Sequence, residues 1–200
     1  MLEWQLLRKR AYPVADTVSG GLVSLLRHGE TAIGQAFRGS LDDVLTEFGW
    51  RQMEQSIQHL NDVDQIVSSP LKRCFQFAES LAARTNISLE VNADFREMHF
   101  GDWEGMTSAE VLEIDEAGLT RFWENPFSYT PANAESLQCV VERVIPAWQS
   151  LKESNVTSHT LLVTHGGVIR VIHCYENQQP YESLMSLKVV NGSLHQFYAD

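Results

Sequence analysis

Two histidines follow apolar runs in the same manner. Arg27-His28-Gly29 closes the run in LVSLLRHGET, and His165-Gly166 closes the one in TLLVTHGGVIR. A short apolar segment ending at glycine reads as a buried strand entering a tight turn, and a core has no use for Arg27 or His28. One such histidine is ordinarily a solvated or satisfied strand end; two in matching contexts point to a shared site. At the carboxyl edge of a parallel sheet, where α/β folds bind ligands, both emerge together. The glycine after each lets the backbone turn and approach a ligand closely. A third segment, DQIVSSPLKRCFQFA, releases Ser68 and Ser69 and places Arg73 about one turn into the helix expected to open at Ser69-Pro70. Alone, Arg73 reads as an exposed helix residue. Beside Arg27 and a helix N-terminus it makes a clamp suited to an oxyanion such as phosphate.

These side chains need a sheet to carry them. Leu22–Leu26, Gln65–Val67, Ser88–Val91 and Thr160–Val163 read as strands. Helical patterns alternate with them. Trp50, Met53, Ile57 and Leu60 recur at spacings of three and four after the cap-type Thr46, and Leu71, Cys74, Ala78 and Leu81 form a second stripe. Thr107 and Glu110 match a capping box. Ser136–Lys152 is helical in pattern, with Pro146 expected to kink or divide it, and Gly166–Asn177 follows the last strong strand. Asn191-Gly192 between apolar runs signals a type I′ hairpin. The expectation is therefore a three-layer α/β sandwich: a mainly parallel sheet with helices on both faces and a C-terminal antiparallel hairpin.

The chain has 200 residues, enough for one domain with a substantial core, and we read residues 1–21 as an N-terminal extension to a single domain over 22–200. The extension lacks the charge-then-apolar order of a signal peptide, and no apolar run approaches the ~20 residues that span a bilayer. The formal net charge of -11 speaks against nucleic-acid binding, though arginines gathered in one pocket still suit a small anionic substrate. Cys74, Cys139 and Cys174 show no CxxC spacing and fall in helical patterns, which suggests reduced core thiols and a cytoplasmic location, with no membrane partner. No metal-type histidine spacing occurs, so neither a metal nor another cofactor is expected.

The blocks LLRHGET, SSPLKRCFQFA, REMHFGDWEG and TLLVTHGGVIR, together with GSLDDVLTEFGWRQ, stand in the order found in the histidine phosphatase superfamily, which this chain resembles. RHG alone is a weak pattern; four blocks in order are specific. The resemblance covers about Leu22 to Arg170. It implies that His28 is the nucleophile and becomes phosphohistidine, with Arg27, Arg73 and His165 completing the phosphate pocket. One branch of the superfamily has aspartate directly after the second histidine, where this chain has Gly166; the other uses a glutamate that matches Glu97. Asp102 competes for that acid role, and Glu104 reads as structural.

These types suit the reaction the resemblance implies. Arg27 and Arg73 would offset the near-dianionic phosphate and stabilise its equatorial oxygens. His28 must attack as neutral imidazole, and a protonated His165 would add a charge-assisted hydrogen bond to the transferred group. Glu97 must carry a proton to help the alkoxide leave, a form that a neighbouring dianion favours, and then takes a proton from water.

The chain departs from the family at Gly34, where an asparagine commonly helps hold phosphate; Gln35 or Arg38 can stand in for it. Thr31 and Gly166 complete the expected substrate contacts. His99 is balanced between pocket wall and surface, as Trp103, Trp123 and Phe127 are between pocket wall and core; His59, His159, His173 and His195 read as solvated or structural.

Within the superfamily, REMHFGDWEG and the compact length most resemble alpha-ribazole phosphatases of cobalamin biosynthesis, which implies a small phosphorylated metabolite as substrate. Broad-specificity or sugar-phosphate phosphatases and phosphoglycerate mutases are the alternatives, although mutases typically carry a longer insertion between the acid block and the second histidine. An inactive phosphate-binding scaffold on the same fold is the non-enzyme alternative.

Overall fold

The computed structural model describes residues 20–199. The segment read as an N-terminal extension lies almost wholly outside them. Among the described residues, strands β1 (Gly21–Arg27), β2 (Gln65–Ser68), β3 (Ser88–Val91), β4 (His159–Thr164) and β5 (Leu194–Ala199) form one sheet in the order β3-β2-β4-β1-β5. The first four are mutually parallel, and β5 runs antiparallel to β1.

Alternation along the strands sorts the core into two layers. Val23, Leu25, Val67 and Leu162 point to one face, against α3 (Ser108–Glu124), α4 (Leu137–Ser154) and α5 (Gly166–Glu176). Leu26, Ile66, Leu161 and Val163 point to the other, against α1 (Glu47–Ile57) and α2 (Lys72–Thr85). The expected three layers are therefore present, and the predicted strands fall within a residue or so of the observed ones.

The helix ends carry the differences. Thr46 caps α1 by accepting from the Gly49 N–H at 2.9 Å, but the helix stops at Ile57 and Leu60 packs beside it from a turn. Helix α2 opens at Lys72, two residues after Pro70, and its cap position, Leu71, offers no side-chain oxygen. The Ser69 hydroxyl bonds His165 at 2.7 Å and accepts from the Leu71 N–H at 3.4 Å, and the Asp42 carboxylate accepts from the Lys72 N–H at 2.7 Å. The Thr107–Glu110 capping box forms as expected, while α3 breaks at Asp115, whose carboxylate restarts the helix at Gly118. Helix α4 runs unbroken through Pro146, because Val140, Val144, Trp148 and Leu151 on both sides of the proline are buried on one face. Of the cysteines, Cys74 and Cys174 are buried, but Cys139 in the first turn of α4 is exposed and is not a core thiol.

The hairpin expectation also needs correcting. Only Gly192 has a positive φ (71°), so the turn is not type I′, which needs both central residues there. Residues 187–190 form no strand; β5 pairs with β1, from Leu26↔Leu194 to Gly21↔Ala199. The carbonyls of Leu187 and Val189 are taken instead by the side chains of Arg170 and Arg27.

Candidate active site

The β1–β4 register ends at Arg27↔Thr164, so His28 and His165 leave the sheet side by side. The His28 N–H donates to the Thr164 carbonyl at 3.0 Å. The two imidazoles meet edge to face, with centroids 5.3 Å apart and planes at 61°. His28 is buried, and its Nδ1 lies 2.8 Å from the Gly29 carbonyl. A carbonyl only accepts, so Nδ1 carries the proton and Nε2 keeps its lone pair. Burial, then the charges of Arg73 and Arg27, hold the imidazole well below the usual ~6.5. His28 is therefore neutral at physiological pH, with a nucleophilic nitrogen.

His165 is fully buried, and both its ring nitrogens are engaged. Arg73 Nε donates to Nδ1 at 3.3 Å, and Nε2 donates to Ser69 Oγ at 2.7 Å. Burial, then Arg73, pushes this imidazole well down too. The expectation of a protonated His165 bonding the transferred group is thus corrected: here it is neutral and braces Arg73, Ser69 and the His28 ring.

The two predicted clamp arginines differ in what they hold. Fully buried Arg73 sends Nη1 to the Leu41 carbonyl at 2.9 Å and Nη2 to those of Gly39 and Arg38 at 2.7 and 3.1 Å. With Nε on His165, its fork is spent mostly on the 38–41 loop, so Arg73 acts on the site through its charge and that loop rather than as an open clamp. Arg27 donates from Nη1 to the Val189 carbonyl at 2.5 Å, while its buried Nε has no partner among the described residues. Burial lowers its pKa to about 10, against the opposing effect of Glu97, and it stays protonated at neutral pH.

Arg27 and His28 open onto a cavity of about 540 Å³. Its polar end adds Arg38, Glu97, Gly166, Gly167 and Arg170, and its apolar end is walled by Phe37, Phe100, Phe122, Leu137 and Leu184. The Glu97 carboxylate accepts from the Gly167 N–H and the Met98 N–H, each at 3.1 Å. A Cβ on residue 167 would lie 2.3 Å from Glu97 Oε1, so only glycine admits this approach. Asp102 lines no part of the cavity; it is exposed and bound to Asn133 at 2.9 Å, which removes it as the rival acid. Glu104 is structural as expected, accepting from the N–H groups of Gly39, Ser40, Leu41 and Phe100 at 2.7–3.0 Å.

Gln35 and Arg38 line the cavity, as does Gly34, where φ is 79° and a Cβ would meet none of the described residues within 4 Å. Arg38 is tied to the Gly34 carbonyl and lies 3.3 Å from Asp43. Thr31 does not line the cavity: it is buried in a bridge to Leu45, its hydroxyl without a partner among the described residues. His99 turns away to Glu104 and Ser40, at 3.1 and 2.8 Å. Trp103 is core, and Trp123 and Phe127 are exposed. His159 bonds Ser24 at 2.8 Å, and His59 is exposed. Sequence reasoning missed Arg170 and the phenylalanine wall. Arg170 was findable, since four residues after Gly166 on a helix is the same face; the wall joins segments distant in sequence.

A second cavity of about 400 Å³, lined by Ile57, Leu60, Val63 and Leu81, holds neither histidine. Among the described residues, no His, Cys, Asp and Glu side chains gather in a group of three or more placed to hold a metal ion, and no helix is long and apolar enough to cross a membrane.

Comparison with known proteins agrees with this geometry. The profile of the Histidine phosphatase superfamily (branch 1) matches residues 23–200. The chain is 31% identical to phosphoglycerate mutase-like protein 4 of Arabidopsis thaliana over 191 residues, covering 92% of this chain and 81% of that protein. It is 32% identical to glucosyl-3-phosphoglycerate phosphatase of Mycobacterium tuberculosis over 160 residues, covering 74% and 71%. Among solved structures, mycobacterial hydrolase 1 superposes with a TM-score of 0.80 at 28% identity, covering 88% of this chain and 91% of that one. The alpha-ribazole phosphatase of Shigella flexneri has a TM-score of 0.76 at 23% identity, covering 88% and 89%, a likeness of fold alone. A nucleophile-ready histidine beside a buried arginine, in a fold and sequence matched this widely, has one home: the chain belongs to the histidine phosphatase superfamily, branch 1, and is a phosphatase of that superfamily, a phosphomonoester hydrolase.

Proposed function

We propose that the enzyme works through a phosphohistidine on His28. The Nδ1–H to Gly29 hydrogen bond is the observation that carries this, because it leaves Nε2 as the ring nitrogen with a free lone pair on a residue that lines the cavity. Nε2 attacks phosphorus as the ester P–O bond breaks, and a P–N bond forms. Glu97 delivers a proton to the departing alkoxide. Water then attacks the phosphohistidine, losing a proton to Glu97, and P–N cleavage returns the electron pair to Nε2. Arg27 and the charge of Arg73 stabilise the phosphoryl oxygens as negative charge shifts onto them. The scheme calls on no metal. Activity on an aryl phosphate in the presence of a chelator, lost in His28→Ala, is the expected result; inactivity of the wild-type protein from pH 5 to 8 would refute it, and loss of activity with chelator alone would refute the metal-free route. That same inactivity is what the scaffold alternative predicts.

For substrate we propose a small phosphorylated metabolite with a ring system in its alcohol portion, alpha-ribazole-5'-phosphate being the first candidate. The apolar end of the cavity supports this: Phe37 and Phe100 lie 5.2 Å apart, and Phe100 and Phe122 6.2 Å apart. An aromatic ring moved from water into such a wall contributes about 2 kcal/mol. Sugar phosphates and phosphoglycerates, the latter favoured by the M. tuberculosis relative, are the competitors. A kcat/KM panel of alpha-ribazole phosphate, a phosphoglycerate, a sugar bisphosphate and an aryl phosphate separates them. If alpha-ribazole phosphate ranks no higher than the aryl ester, the cobalamin reading falls. A cytoplasmic location and the division into residues 1–21 and a domain over 22–200 belong to the same proposal, the division supported by a family match that begins at residue 23.

A further inference from the structure

The geometry points to Arg170 as a further substrate-contacting residue, acting beside Arg27 on the phosphoryl group. The inference rests on the phosphatase reading above and gives a role to the arginine that closes the TLLVTHGGVIR block.

Arg170 lies in the second turn of α5 and lines the polar end of the cavity. Its Nε donates to the Leu187 carbonyl at 3.1 Å, which fixes the plane of the guanidinium. Its Nη groups have no hydrogen-bond or ion-pair partner among the described residues. Arg27 is held in the same way from behind, by the Val189 carbonyl. Leu187 and Val189 lie two apart, so the two arginines are anchored on one short stretch of chain.

Both guanidinium groups converge on Gly166. A Cβ there would lie 3.0 Å from Arg170 Nη1 and 3.3 Å from Arg27 Nε. Two like charges in one partly buried place repel each other, and a neighbouring anion relieves this. Glu97 supplies part of that field but touches neither arginine, since its oxygens accept from backbone N–H groups. What remains, among the described residues, is a pair of fixed forks with open donors, one of them the buried Nε of Arg27. This is the arrangement that a tetrahedral oxyanion completes. Arg73 cannot fill the same place, because its fork is turned to the 38–41 loop.

The test measures inorganic phosphate binding by calorimetry, and KM and kcat with an aryl phosphate, for Arg170→Met and Arg170→Lys. Arg170→Met should weaken phosphate binding and raise KM about tenfold, with a smaller change in kcat; Arg170→Lys, which keeps the charge but not the fork, should recover part of the loss. Gly166→Ala, which wedges a methyl between the two guanidinium groups, is a second probe that leaves Arg170 in place and should weaken phosphate binding several-fold. Phosphate affinity within twofold of wild type in folded Arg170→Met would overturn the assignment. If Arg170→Met does not fold, unchanged phosphate affinity in both Arg170→Lys and Gly166→Ala would do so. Neither result touches the phosphatase reading, which fails only if the wild-type protein forms no phosphohistidine and hydrolyses no ester.

Discussion

The Gly29 carbonyl accepts from the Nδ1–H of its neighbour His28 at 2.8 Å, so a residue two past the end of β1 sets the tautomer of the nucleophile. Gly29 cannot be enlarged, because a Cβ there would lie 2.1 Å from the backbone carbonyl of Gly49 in α1. Gly29→Ala should therefore lower both stability and activity, displacing the strand end that carries His28. Thermal melts and kcat of the variant check this; a stable, fully active Gly29→Ala protein would contradict it.

His28 and His165 are both neutral in the folded protein, the first through burial and then Arg73 and Arg27, the second through burial and then Arg73. In the unfolded chain they titrate near ~6.5. Their folded values lie below the unfolded ones, so their contribution to stability is complete above that pH and is lost as pH falls beneath it. The slope is about 1.4 kcal/mol per pH unit for each histidine. Urea midpoints at pH 7.5 and 5.5 should show the loss, and ring-proton NMR should show two histidines that do not titrate between pH 6 and 8. Ordinary titration of all the histidines would count against the account.

Much of this site was legible because strand ends and histidines announce themselves. LLRHGET and TLLVTHGG each put a histidine one residue past a parallel strand, and the β1–β4 register does the rest. Arg73 was visible as a residue but not in its role, since the carbonyls of Arg38, Gly39 and Leu41 that occupy it come from a loop more than 30 residues away in sequence. The hairpin signal at Asn191-Gly192 misled for a similar reason: residues 187–190 spend two carbonyls on arginine side chains rather than on a partner strand. Local pattern reports propensity, and long-range polar partners overrode it at these places.

Arg73 also makes a stability prediction. Arg73→Met leaves the buried carbonyl of Gly39 unpartnered, costing about 1–3 kcal/mol, and frees the 38–41 loop by removing its bond to Leu41 as well. A large drop in the unfolding midpoint should accompany loss of activity, and Arg73→Lys should rescue neither, because one ammonium cannot reach His165 and three carbonyls at once. A stable but inactive Arg73→Met would show instead that its main role is direct contact with phosphate.

At Gly34 the backbone has a φ of 79°, and a Cβ placed there would meet nothing within 4 Å. Asparagine is among the few residues that accept this conformation at small cost. Gly34→Asn should therefore fold normally and present an amide to the cavity, tightening competitive inhibition by inorganic phosphate several-fold. Unchanged inhibition would mean that Gln35 and Arg38 already supply that contact.

Glu97 as proton donor predicts a dependence on the leaving group. Glu97→Gln should lose more kcat on an alkyl phosphate, whose alkoxide needs a proton, than on a nitrophenyl phosphate, whose phenolate does not. Equal losses on both esters would remove Glu97 from the acid role.

Trapping the phosphorylated enzyme decides whether His28 is the nucleophile. Wild-type protein mixed with labelled phosphomonoester and quenched under alkaline conditions should carry an acid-labile phosphoryl group that peptide mapping assigns to Nε2 of His28, and His28→Ala should carry none. Label found on another residue, or unchanged turnover in His28→Ala, would contradict the account.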